Sequence, residues 1–203
     1  MSNSKSFDLL LKICILANHK ALEFLRPNLN DSYPIYISHL VRRYLPTIGM
    51  EFSVEDVKFL DKRLKVQYWN TSSDTRFDYV RPLYYKNSHG IIFIVDLDKK
   101  NAYNFLKGQY QLIDEGCYNY PIYIVGLETG STREKSSVIK FILNKLYQIR
   151  FSAFLKKNRK KHPKSEFVYF EFLQSDQENL QNLFKNLLKE MLKKIIEEEN
   201  KLV

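Results

Sequence analysis

The residues of this 203-residue chain that are best suited to bind a charged ligand form a basic run in its final third. The run contains Lys156, Lys157, Arg159, Lys160, Lys161 and Lys164. The chain carries a formal net charge of +9, which favours contact with nucleic acid, anionic lipid or an acidic protein surface. Two interpretations of the run stay open: a solvated loop, or a contact with an anionic membrane or RNA.

Neither histidine catalysis nor a metal site is indicated. The histidines are scattered without a paired cysteine or carboxylate signature: His19, His39, His89 and His162. Cys14 and Cys117 lie in apolar neighbourhoods without zinc-ligand spacing, so we expect buried thiols in a reducing compartment. No apolar run has the length of a signal-peptide core or a membrane span. These features predict a cytoplasmic location.

Short apolar runs predict the strands of a sheet. Three runs lack polar alternation, as in strands covered on both faces: Leu9 to Leu16, Gly90 to Asp96 and Pro121 to Val125. Phe167 to Phe172 is a fourth such strand, and Met50 to Phe59 with Leu64 to Trp69 forms an antiparallel hairpin. Apolar residues at helical spacing indicate helices near 102–113, 135–157 and 176–201. This alternation predicts an α/β fold with a mostly parallel sheet.

The organisation of the chain indicates a single domain covering residues 1–203. Its length suits one hydrophobic core, and neither an internal repeat nor a flexible linker interrupts it. We place the core at about 9–192, a basic loop at about 156–165 and a carboxyl-terminal helix at about 176–201.

Three consecutive blocks carry a resemblance to a known family. Pro46 to Phe52 (PTIGMEF) is similar to the exit of switch I in Rab-type small GTPases of the Ras superfamily. Leu64 to Phe77 (LKVQYWNTSSDTRF) resembles their third strand and switch II, and Val80 to Asp96 continues with their double tyrosine and next strand. The resemblance implies a small GTPase-like fold of the P-loop NTPase type. That fold is a three-layer sandwich whose mostly parallel six-stranded sheet has one antiparallel edge strand.

The segment that corresponds to the family's phosphate loop departs from the motif. The loop G-x-x-x-x-G-K-[ST] wraps phosphates with backbone N–H groups and a lysine. Residues 17–24 read ANHKALEF, without glycine, so Glu23 takes the lysine position, or Lys20 does if the alignment is gapped. A carboxylate about 4 Å from a phosphate would repel it by roughly 4 kcal/mol at an effective dielectric of 20. The resemblance therefore implies a weakened phosphate site.

The magnesium and hydrolysis motifs are altered as well. Thr47 matches the switch I threonine that completes the magnesium shell. Asn70 replaces the aspartate that supports magnesium, Ser73 replaces a phosphate-contacting glycine, and Asp74 replaces the glutamine that orients water. We interpret Lys20, Glu23, Thr47, Asn70 and Ser73 as vestigial nucleotide-site positions.

The guanine-reading motifs are not visible either. Residues 127–130 read LETG where the family has Asn-Lys-x-Asp, and residues 173–175 read LQS where it has Ser-Ala-Lys. These losses predict a pseudo-GTPase that binds no cofactor and is not an enzyme. The alternative is a divergent small GTPase in which Lys20 and Thr47 still handle the phosphates of GTP or GDP with magnesium.

The family's partner-facing residues are retained. Phe52, Trp69 and Tyr84 match the aromatic triad that Rab proteins present to effectors, and we group Thr47 of switch I with them. Aromatic side chains are common anchors of protein interfaces, although these rings could also pack only against the hairpin. The resemblance implies a protein-interaction module in vesicle trafficking. The chain ends Lys201-Leu202-Val203 without a nearby cysteine, so we expect no prenylation.

Overall fold

The described residues form a sheet of six strands. The computed structural model describes residues 7–18, 49–96, 102–113, 121–128, 137–158, 160, 163, 165–171 and 177–201. The strands are β1 (Leu9–Ala17), β2 (Met50–Phe59), β3 (Lys62–Thr71), β4 (Gly90–Asp96), β5 (Ile122–Glu128) and β6 (Ser165–Glu171). They lie in the order β2-β3-β1-β4-β5-β6. All neighbours are parallel except β2 and β3, which confirms the predicted mostly parallel sheet with one antiparallel edge strand.

The helices cover both faces of the sheet. They are α1 (Arg81–Tyr85), α2 (Ala102–Gln111), α3 (Ser137–Asn158) and α4 (Gln177–Glu199). β1 alternates between two cores: Leu11, Ile13 and Ile15 pack with α4 on one face. Cys14 and Leu16 pack with α2 and α3 on the other face. The result is the predicted three-layer arrangement, because apolar side chains project from both faces of each central strand.

The β2–β3 hairpin turns at Leu60 and Asp61. Both residues have positive φ, 48° and 59° respectively. Two successive left-handed residues are typical of the type I′ turn, whose twist matches that of the flanking strands. The turn fixes a register in which Phe52 lies opposite Trp69, so it places two of the triad residues side by side.

The end of helix α3 agrees with the helix that the sequence predicted to about residue 157. The helix ends at Asn158, so Lys156 and Lys157, which the sequence analysis also counted in the basic loop, form its last turn. Cations are favoured at this end because they interact with the negative end of the helix dipole. The next described strand begins at Ser165. No helix in the described part of the chain is long and apolar enough to cross a membrane.

Candidate functional site

The carboxyl ends of β1, β3 and β4 meet at one edge of the sheet. β1 runs parallel to both neighbours and lies between them. The Thr71 hydroxyl donates to the Ile15 carbonyl at 3.3 Å, and Asp96 N–H donates to the Asn18 side-chain oxygen at 3.2 Å. In open α/β sheets, ligands bind beyond this edge of the strands. This edge is therefore the candidate site.

Asn70 is the most informative residue at this edge. Its side chain is fully buried, yet neither the amide oxygen nor the amide nitrogen has a hydrogen-bond partner within the described residues. An unsatisfied buried polar group costs about 1–3 kcal/mol, so native structures rarely keep one without a reason. Asn70 therefore offers an acceptor and a donor that suit a bound ligand or metal-bound water.

Asp74 makes local bonds that fix its carboxylate. It accepts the Arg76 N–H at 3.0 Å and caps a 3₁₀ turn at Thr75–Phe77. The Arg76 guanidinium lies 2.7 Å from the same carboxylate. These bonds to Arg76 lower the pKa of Asp74. The residue that the sequence matched to the family's water-orienting glutamine is thus a carboxylate bonded to Arg76, and the preceding residues Ser72 and Ser73 are half-buried.

Arg81 was not singled out from the sequence, yet it organises this segment. Its side chain is fully buried, and its guanidinium donates to the backbone carbonyls of Ser72 at 2.8 Å and Asp74 at 2.9 Å. It also pairs with the Asp78 carboxylate. Arg81 therefore holds the backbone of residues 72–78 in place through these bonds.

Gly49, in the segment that resembles switch I, contacts the segment that resembles switch II. Its φ is +67°, and a Cβ added there would lie 2.3 Å from Cγ of Phe77. The Ser72 N–H donates a hydrogen bond to the Gly49 carbonyl at 2.7 Å. Phe77, which is 9% exposed, thus packs directly on the glycine backbone. This position requires glycine both for the left-handed conformation and for the close approach of the ring.

The aromatic triad is assembled as the sequence suggested. The ring centroids of Phe52 and Trp69 are 5.6 Å apart, and those of Trp69 and Tyr84 are 6.4 Å apart. Phe52 is 45% exposed, while the other two are half-buried. That these rings bind an effector stays a prediction.

Lys12 supports the triad from β1. Its ammonium lies 4.0 Å from the centroid of the Trp69 ring and donates to the Lys86 carbonyl at 2.8 Å. Its backbone N–H donates to Nδ1 of His89 at 3.1 Å. Burial lowers the pKa of His89, which keeps Nδ1 available as an acceptor. Lys12 therefore lies over the face of the indole ring.

Some of the other predicted positions lie within the described residues and some do not. Lys156, Lys157 and Lys160 are exposed at the end of α3 and just beyond it. Leu127 is buried in β5, and Glu128 is the last residue of that strand. The remaining predicted residues lie outside the described residues: Lys20, Glu23, Thr47, Arg159, Lys161, Lys164, Thr129, Gly130 and 173–175.

The model of the family described as "Ras family" matches residues 36–193, which is more than three quarters of the chain. The chain belongs to the Ras family. The matched region contains the hairpin, the triad and Asn70, and it begins after the glycine-free segment 17–24. The resemblance inferred from the central blocks is therefore confirmed at the level of the family.

Curated relatives of this Ras-family protein include three Rab- and Ypt-type proteins. It is 32% identical to "GTP-binding protein YPTM1" of Zea mays, over 55% of this chain and 50% of the relative. It is 31% identical to "GTP-binding protein YPT1" of Saccharomyces cerevisiae, over 55% and 52%. It is 27% identical to "Ras-related protein Rab-1C" of Dictyostelium discoideum, over 50% and 48%. The matches span about half the length of these relatives.

These findings correct two predictions. Motif loss suggested that the chain takes no cofactor and is not an enzyme, but the chain belongs to the Ras family, and two of its relatives are described as GTP-binding proteins. The prediction was wrong because it treated each motif as all-or-none. Nucleotide affinity is a sum of many contacts, and a site can lose several of them and still bind.

Proposed function

We propose that this Ras-family protein is a divergent Rab-type GTP-binding domain that takes guanine nucleotide with magnesium and recognises a protein effector through its aromatic triad. Nucleotide binding is supported mainly by Asn70, whose side-chain amide is buried at the carboxyl end of β3 and has no hydrogen-bond partner among the described residues. A ligand at this edge would satisfy that amide. The class of ligand is supported by two relatives that are described as GTP-binding proteins.

The residues present are compatible with magnesium, although they hold it less strongly than the family motif. The Asn70 oxygen is a neutral acceptor that suits a water molecule on the metal. Thr47 and Lys20 are the sequence candidates for the metal shell and the phosphates. When bound, magnesium neutralises phosphate charge. With Asn in place of Asp and no glycine in residues 17–24, we expect weaker binding than the intact motifs give.

Hydrolysis should be slow in this site. The family's glutamine orients the attacking water, whereas Asp74 is a carboxylate bonded to Arg76 at 2.7 Å. A carboxylate near the terminal phosphate adds negative charge where charge already accumulates. We therefore infer a domain that stays in one nucleotide state for a long time and presents a persistent surface to its effector.

Thermal unfolding with and without GTP, GDP or ATP plus magnesium tests nucleotide binding. At a hundred times Kd a ligand adds about 2.7 kcal/mol, which raises the midpoint by roughly 5–10 °C for a chain of this size. Asn70→Ala should change the ligand-free midpoint little, because it removes an unsatisfied group, yet it should lose most of the magnesium-dependent shift. Asn70→Asp should enlarge that shift.

The controls for this experiment separate binding from folding. Gly108→Ala lies in α2, where an added Cβ meets no atom within 4 Å, and it should keep the full nucleotide shift. The absence of a shift with every nucleotide at millimolar concentration would refute the nucleotide part of the proposal. A magnesium-independent shift that Asn70→Ala leaves intact would refute the role of Asn70.

Effector recognition is tested by comparing captured partners between variants. Phe52→Ala removes the most exposed triad ring and should lose at least tenfold in partner affinity, since aromatic anchors commonly contribute about 2 kcal/mol. The matched control is Leu60→Ala, which removes an apolar side chain that is 58% exposed at the hairpin turn of the same strands. A partner bound equally by both variants would contradict the assignment of this surface.

A further inference from the structure

A groove between α2 and α3 lies outside the nucleotide and effector surfaces. It has a volume of about 420 Å³, and its walls include Lys107, Arg150 and Lys157. Tyr103, Tyr110 and Phe154 also line it. α2 and α3 cover one face of the sheet, and α4 covers the other. The groove is thus a separate concave site on the three-layer fold.

The aromatic residues give the groove a rigid floor. The centroids of Tyr110 and Phe154 are 5.1 Å apart, and those of Tyr103 and Phe154 are 5.8 Å apart, both with edge-to-face geometry. Tyr110 and Phe154 are only 3% and 8% exposed. Packed rings of this kind hold a fixed shape. The backbone of α3 that carries the cations is therefore held in place.

All the described charged side chains that line the groove are cationic. None of the described residues that line it is a carboxylate. Lys107, Arg150 and Lys157 form no ion pair within the described residues. Three cations around one cavity, with no carboxylate beside them among the described lining residues, repel one another and concentrate anions. The site therefore favours a ligand with several negative charges close together.

The same rings argue against RNA. Single-stranded RNA is held by bases that stack on exposed aromatic faces. Tyr110 and Phe154 are buried, and the Arg150 guanidinium lies over the Tyr103 ring at 3.9 Å from its centroid. Two rings of the groove floor are thus buried and the third carries a guanidinium on one face, so the floor presents little aromatic surface that a base could use as a stacking face. A compact phosphate-bearing group satisfies the cations without needing one.

Exposed aliphatic residues adjoin the cations on α3. Leu146 is 55% exposed and Ile149 is 63% exposed. Leu146 lies four residues before Arg150 and eleven before Lys157, so the helical repeat places these three along one stripe. Ile149 lies beside that stripe, three residues after Leu146. Aliphatic and cationic side chains on one helix stripe suit the boundary between lipid headgroups and acyl chains. A soluble phosphate compound would make no apolar contact with these aliphatic side chains, whereas a membrane lipid would.

We propose that the groove between α2 and α3 binds the polyphosphorylated headgroup of a membrane lipid, with Lys107, Arg150 and Lys157 contacting phosphates and with Leu146 and Ile149 touching the acyl region. This site differs from the predicted basic loop, since only Lys157 belongs to both. It acts independently of nucleotide binding and of the aromatic triad.

The test is sedimentation of the full chain with vesicles. Phosphatidylcholine vesicles containing phosphatidylinositol bisphosphate should bind, whereas phosphatidylserine vesicles of equal total charge should bind much more weakly. Changing Lys107, Arg150 and Lys157 together to Gln should reduce binding roughly a hundredfold, at about 1 kcal/mol per basic residue and about 1.4 kcal/mol per factor of ten. Thermal unfolding of each variant verifies that it folds.

The matched control removes the same charge from the other face. Lys185, Lys189 and Lys193 are exposed on α4, and changing all three to Gln should leave binding within about twofold of the parent. Leu146→Ser with Ile149→Ser should weaken binding to vesicles while binding of soluble inositol trisphosphate stays unchanged.

Three outcomes would overturn the proposal. Equal binding of both triple variants would mean that overall charge, and not the groove, attracts lipid. Equal binding of phosphatidylserine vesicles would remove the headgroup specificity. Tight binding of inositol trisphosphate without vesicle binding would leave a soluble phosphate ligand and refute the membrane source.

Discussion

Replacing Arg81 with alanine should lower the free energy of unfolding by about 3 kcal/mol. The change leaves the carbonyls of Ser72 and Asp74 without their donor, at about 1–3 kcal/mol for each group that stays buried. It also removes a fully buried side chain. The loss of the Asp78 pair adds less, because that carboxylate is half-exposed and regains water. Urea unfolding measures the difference.

Two variants interpret this result. Arg81→Met keeps much of the buried volume, so any stability it recovers measures packing, and the remainder measures the lost hydrogen bonds. Arg76→Ala removes a guanidinium whose side chain is 69% exposed, and it should leave the urea midpoint nearly unchanged. If Arg81→Ala unfolded at the same urea concentration as the parent, Arg81 would not fix residues 72–78.

Gly49→Ala should destabilise the protein by a similar amount, about 3 kcal/mol. Roughly 1 kcal/mol comes from placing a Cβ at a φ of +67°. The rest comes from Phe77, whose ring must leave its buried position because the new Cβ would overlap its base. Burying a phenylalanine side chain is worth about 1.5–3 kcal/mol. Thermal and urea unfolding both measure this loss.

A double-mutant cycle separates the two causes. In a Phe77→Ala background the clash is absent, so Gly49→Ala should cost only the backbone part, about 1 kcal/mol. Gly108→Ala is the reference for glycine replacement in open space, and as a helix-interior change it should stabilise by about 0.5–1 kcal/mol. Additive effects of Gly49→Ala and Phe77→Ala would contradict the direct contact.

The strands and the layer order could be predicted from the sequence because burial leaves a local signature. β1 and β4 are apolar on both faces, so their amino-acid sequences alone identify them as central parallel strands. Phe52 and Trp69 were grouped through the family resemblance, and the register of the predicted hairpin places them opposite one another. These inferences need only the periodicity of one segment or the pairing of two neighbours.

Arg81 and Gly49 could not be found in that way. An arginine after a valine in a short helix looks like a surface residue, and only tertiary packing buries it among backbone carbonyls. Gly49 acts through the Phe77 ring, twenty-eight residues away in the sequence, so its role depends on how two loops meet. The start of the basic loop was placed too early, because Lys156 and Lys157 lie in the final turn of α3, where the helix dipole favours cations.

Trp69 is the sole tryptophan of the chain, and it stands at the centre of the aromatic triad with an ammonium 4.0 Å from its ring centroid. The protein therefore carries an intrinsic fluorophore at the surface where an effector is proposed to dock. A partner that covers Phe52 or displaces Lys12 would change the polarity and the quenching around this one indole. Docking can thus be followed in the unlabelled protein, and titrations need no attached dye that would itself disturb the interface.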